Sequence, residues 1–187
     1  MTTVTSAEPA QAELRHDRNA ARYGDALDLI EMLHQRVHEV IKKDAPDSGG
    51  HGRFCTVFNC MDGRCQRLVH TWCEREFRVE YADTITIAGC DKVLLDNEAE
   101  RERAMQMAKI SIDKHGAQFA VVVGHSSCAG NPVSDEEHLI HVQQSVAMIA
   151  ERGLFQGVVG PFVDVANKRV DFVCRSGTTN PAHVAAA

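Results

Sequence analysis

Two short stretches of this sequence hold residue types that could do chemistry together: Cys60-Met61-Asp62-Gly63-Arg64 and His125-Ser126-Ser127-Cys128. They bring two thiols, an imidazole, a carboxylate and a guanidinium. Two thiolates and one neutral imidazole suit Zn2+, balance its charge, and leave the fourth tetrahedral position open. A water in that position is acidified by the metal, though less than at a three-histidine site, because thiolates donate more charge. Asp62 could accept a hydrogen bond from that water or ligate the metal itself. Arg64 could hold the carboxylate in a bidentate pair and keep it ionised. The spacing of Cys60, Asp62 and Arg64 at i, i+2 and i+4 suits an extended segment that aims three side chains to one side. A purely structural Asp62–Arg64 ion pair is the alternative.

Such residues need rigid elements behind them. Phe54 to Asn59 is short and β-prone and runs straight into the first stretch, as a buried strand would. Phe119 to Gly124 is apolar throughout, the pattern of a strand covered on both faces of a parallel sheet, and the second stretch follows it at once. Both stretches therefore fall at the carboxyl ends of predicted parallel strands, where ligands bind in open α/β sheets. A helix with Leu68, Val69, Trp72 and Phe77 on its buried face follows the first. Tyr81 to Ile87 reads as another strand, and residues 97 to 115 as a helix ended by Gly116. Ser134 can cap a further helix that carries Asp135, Glu136 and Glu137 in its first turn and runs to about Arg152. Val158 to Val165 and Arg169 to Cys174 pair as a hairpin around Ala166-Asn167-Lys168. The fold class is α/β: a mainly parallel central sheet flanked by helices, with an N-terminal helical arm and a C-terminal β-hairpin. The domain limits expected are a tail over 1–22, one zinc domain over 23–175 with its arm over 23–44, and a second tail over 176–187. The arm rests on the apolar spacing of Leu29, Ile30, Leu33, Val37, Val40 and Ile41.

The chain has 187 residues and a formal net charge of -6, without the basic stripe that neutralises phosphates, so nucleic acid is not an expected partner. No apolar stretch reaches the length of a membrane span, and the first residues lack the pattern of an export signal. The seven cysteines are then expected as thiols or metal ligands in the cytoplasm, not as disulfides. Cys55, Cys73 and Cys174 read as small buried hydrophobes. His138 and His141, three apart on a helix, read as solvent-exposed.

The pair C-x-D-x-R and H-x-x-C resembles the β-class carbonic anhydrases over roughly Phe54 to Val173. The resemblance implies zinc on Cys60, His125 and Cys128, and an Asp62–Arg64 dyad that orients a zinc-bound hydroxide. It implies reversible hydration of carbon dioxide to bicarbonate, and a homodimer or higher even homo-oligomer in which N-terminal helices embrace the partner. Where the family usually has Ser between the dyad residues, this chain has Gly63. The family's Arg-Asn-Ala-Gly-Asn segment is here Thr86-Ile87-Ala88-Gly89-Cys90, which makes Gly63, Ile87, Ala88, Gly89 and Cys90 candidate pocket residues. The less polar segment would also suit hydrolysis of carbonyl sulfide or carbon disulfide at the same zinc. A non-catalytic zinc-binding homologue, with Cys90 or Asp62 closing the fourth position, is the third reading.

Overall fold

The computed structural model describes residues 52–177. They fall within Asp47–Ala187, one of the two compact units into which the chain divides. The helical arm and the first tail expected from the sequence lie outside the described residues, as do residues 178–187.

The elements run β1 (Phe54–Asn59), α1 (Gly63–Phe77), β2 (Tyr81–Thr86), α2 (Cys90–Asp96), α3 (Glu98–His115), β3 (Phe119–Val122), β4 (Gly124–His125), α4 (Asp135–Glu151), β5 (Gly157–Asp164) and β6 (Arg169–Gly177). They form a six-stranded sheet in the order β2-β1-β3-β5-β4, with β6 also on β5. Every pairing is parallel except β5 with β6, which is the expected hairpin. Alternation of side chains splits the core between the two faces. Phe58, Ala120, Val122 and Val158 pack with residues of α2, α3 and α4, while Cys55, Val57, Val121, Val123 and Val159 pack with Val69, Trp72 and Cys73 of α1. The fully apolar β3, covered on both faces, follows from that arrangement.

The order reverses at β1: β2 lies on one side of it and β3 on the other. At such a switch point the loops leaving neighbouring strands part and open a cleft at their carboxyl ends. β3 and β4 are two pieces of one line, since both pair with β5 in the same register. The break falls at Val123, whose N–H donates to the Phe58 carbonyl of β1 at 3.0 Å.

The local signals for α3 and α4 hold. Asn97 caps α3 through Glu100 N–H, and Gly116 closes it in the left-handed conformation. Ser134 caps α4 through Glu137 N–H. α4 approaches the sheet closely because Gly124 and Gly160 have no side chain; a Cβ at Gly124 would meet Val142 at 2.6 Å. α2 has no counterpart in the sequence reading. It is seven residues long and starts from Gly89 at φ +63° without a side-chain cap.

Candidate metal centre

Cys60 follows the last residue of β1, and His125 ends β4, so the switch point brings them face to face. Cys128 joins them through a turn in which Ser127 takes a left-handed backbone at φ +55°, a conformation costly for a residue with a side chain. The ligand atoms of Cys60, His125 and Cys128 all lie within 4.8 Å of one another, and all three residues are buried. The two sulfurs are 3.8 Å apart. Two Zn–S bonds of about 2.3 Å at a tetrahedral angle span about 3.8 Å, so the pair already has the edge length of a zinc tetrahedron.

His125 supplies an independent test of fit. Its Nδ1 lies 3.0 Å from the Ser126 carbonyl, to which it donates. That fixes the tautomer and leaves Nε2 as a lone pair. Nε2 is buried with no hydrogen-bond partner, a costly state that a metal ion would relieve. Burial of the ring lowers the pKa of His125, favouring the neutral form that ligates. Burial, and then the neighbouring Cys60, raise the pKa of the Cys128 thiol. The residues fit a zinc ion by donor type, spacing and orphaned lone pair.

Asp62 and Arg64 meet as expected but by different geometry. The segment is not extended. Asp62 is the N-cap of α1, with its carboxylate accepting Arg64 N–H at 2.9 Å, and Arg64 stands in the first helical turn. An aspartate at that position satisfies one of the helix's unpaired N–H groups, and this local gain sets the backbone. Arg64 then folds back, donating from Nε at 3.0 and 3.1 Å and from Nη2 at 2.6 Å. These bonds hold the Asp62 pKa down to about 2. Nη2 also donates to the Ser127 carbonyl at 3.2 Å, so one guanidinium ties the helix cap to the H-x-x-C turn. Gln66, to which the sequence reading gave no role, donates to the carbonyls of Cys60 at 2.6 Å and Asp62 at 3.2 Å. It holds the chain as it leaves the strand.

The candidate pocket residues separate. Gly63 is exposed, with open space where a Cβ would stand. Ile87 packs against the apolar cluster that holds Cys90. Cys90 is fully buried, and burial pushes its thiol well above the ordinary value. Gly89 meets the backbone of Gly130, where neither position has room for a side chain. Ala88 and Gly89 thus support the loop that carries Cys128.

His138 and His141 overturn the expectation of exposure. They are 0% and 8% exposed, and they converge on Asp91 of α2 and Asn131, three residues after Cys128. The H-x-x-H spacing was legible in the sequence. Its partner Asp91, 47 residues before His138, was not.

A family model described as "Putative carbonic anhydrase" matches residues 50–174. Among curated proteins none matches significantly. Similar solved structures include tetrameric β-carbonic anhydrases from Sordaria macrospora, at 13% identity over 90% of this chain and 100% of that one, TM-score 0.46. Others are a carbonic anhydrase from Glaciozyma antarctica, at 16% identity over 93% and 100%, TM-score 0.46, and one from Streptococcus mutans, at 16% over 81% and 98%, TM-score 0.45.

Proposed function

Because the chain belongs to the carbonic anhydrase family that matches two-thirds of its length, we propose that it is a zinc lyase that hydrates carbon dioxide reversibly to bicarbonate. The observation that carries this reading is the buried convergence of Cys60, His125 and Cys128, with a 3.8 Å sulfur pair and an unpartnered His125 Nε2. Zinc held by these three residues would supply Lewis acidity and lower the pKa of water in the cleft.

The remaining work falls to the chain. Asp62 is an acceptor two residues from Cys60, ionised throughout the physiological range because Arg64 holds it so. In this role its carboxylate accepts a hydrogen bond from the O–H of the attacking oxygen and so fixes the direction of that oxygen's lone pair. Arg64 fixes the Asp62 rotamer with three side-chain hydrogen bonds and aligns it to the ligand turn through Ser127. His125 keeps its Nδ1 proton on the Ser126 carbonyl, which aims Nε2 at the metal position. Six of the seven cysteines are buried and Cys174 is half-buried, all as free thiols, which suits the reducing cytoplasm. Among the described residues no helix is long and apolar enough to cross a membrane. Assembly as a homodimer or higher even homo-oligomer belongs to the same reading, and light scattering of the full chain measures it.

Stopped-flow hydration of carbon dioxide with zinc-loaded protein is the direct test, with Cys60→Ser as the control that loses the thiolate-bound metal and the rate together. No hydration across a pH series by protein that retains zinc would overturn the proposal. Sulfide release from carbonyl sulfide in place of bicarbonate formation would reassign the substrate.

A further inference from the structure

Behind His125 lies a second set of converging side chains. His138 and His141 stand three apart on one face of α4, and that face meets the first turn of α2. Asp91 Oδ2 is 2.6 Å from His138 Nδ1 and 3.9 Å from His141 Nδ1. Ligand atoms of the three residues all lie within 4.8 Å of one another. The Asn131 side-chain nitrogen lies among them, at 3.1 Å from Asp91 Oδ2, 3.3 Å from His138 Nδ1 and 3.1 Å from His141 Nδ1. The side chains of Asp91, His138 and His141 are 3%, 0% and 11% exposed. The His138 ring stacks on that of His125, with centroids 6.3 Å apart.

A buried carboxylate needs a positive partner, and among the described residues the ion-pair partners of Asp91 are these two imidazoles. Neutral imidazoles offer lone pairs, not charge, whereas a dication would answer all three groups at once. Two histidines and one carboxylate form the donor set that takes first-row divalent ions with positions left open. An amide has nearly the same outline whichever end is oxygen, so Asn131 turned about its terminal bond adds an oxygen as a fourth ligand. Without a metal, the groups that face one another are tied by hydrogen bonds: His138 Nδ1–H donates to Asp91, and Asn131 donates to Asp91 and His141. A bound ion would take the place of these bonds at the same atoms.

We propose that Asp91, His138 and His141, with Asn131, form a second metal site for a first-row divalent ion such as zinc, separate from the thiolate centre. It stands whether or not the chain hydrates carbon dioxide, because its readout is metal content.

Cobalt titration of the apo full chain, followed by absorption and elemental analysis, tests it. Two equivalents are expected per chain. The first brings thiolate-to-cobalt charge transfer, and the second adds ligand-field bands without further charge transfer. His138→Gln with His141→Gln should hold one cobalt with the charge-transfer band intact, and Cys60→Ser should keep the other without that band. A wild-type end point of one equivalent, or a second equivalent that survives in the double variant, overturns the proposal. If the double variant does not fold, the wild-type titration and His141→Gln alone decide: loss of the second equivalent is expected, and its retention refutes the site.

Discussion

Gly89 and Gly130 touch backbone to backbone: a Cβ on either would collide with the main chain of the other. α2 begins after Gly89 and the ligand turn ends before Gly130, so this contact sets how closely Cys128 approaches the sheet. Gly89 also has φ +63°, so it carries a second penalty for any side chain. Gly89→Ala and Gly130→Ala should each destabilise the fold by about 1–3 kcal/mol, read from the urea midpoint. Each should also weaken zinc retention during dialysis against a chelator, because the Cys128 loop is forced outward.

Gly63 predicts the opposite sign. Its Cβ position is open and it begins α1, so Gly63→Ala should stabilise by up to about 1 kcal/mol through the lower entropy of the unfolded chain. Retained hydration activity would show that the glycine serves no close approach to substrate.

Arg64 and Asp62 should separate metal from turnover. Asp62→Asn and Arg64→Ala are expected to keep one zinc on the thiolate centre while the hydration rate falls about 10²-fold or more. Arg64→Lys should not rescue, since an ammonium cannot reproduce the Nε and Nη2 fork. Elemental analysis beside stopped-flow traces makes the comparison; loss of zinc in either variant would mean that the pair is structural.

Metal removal should be visible as thiol reactivity. Chelated protein treated with iodoacetamide is expected to label at Cys60 and Cys128, while Cys55 of β1 and Cys73 of α1, both fully buried where that strand and helix pack, stay unlabelled. Zinc-loaded protein should protect all four. Peptide mass mapping reads each position separately.

Cys65 gives a pH signature. Burial raises its thiol to about 12 from an ordinary 9.0, so the folded state holds the neutral form. Below pH 9 the thiol is protonated in both folded and unfolded chains, and its contribution is fully present. As pH rises from 9 toward 12, the unfolded chain ionises first and that stability is lost. Wild-type stability should therefore fall relative to Cys65→Ala between pH 8 and pH 10.5; a constant gap in denaturant midpoints would contradict it.

How far the sequence foretold this depends on how local each signal was. β1, β3 and the hairpin carry their own patterning, and Gly116 and Ser134 mark helix ends by the chemistry of a single residue. Cys60, His125 and Cys128 could be paired because each follows a readable strand. α2 could not be read, since a left-handed glycine and one short stretch give no periodic signal. At Asp62 two rules competed: alternation favoured an extended segment and capping favoured a helix start, and the cap prevailed. The burial of His138 depends on Asp91, which only the packing of α2 against α4 brings near.

The break at Val123 has a mechanical consequence. β1 and β3 share a ladder up to Phe58 and Val122, but β4 pairs with β5. Past that fork, no strand pairing links Cys60 to His125. A load that parts the two strands would therefore reach the cysteine and histidine before it broke either ladder. An ion there would act as a rivet at a crack tip, bearing tension that backbone hydrogen bonds carry elsewhere in the sheet.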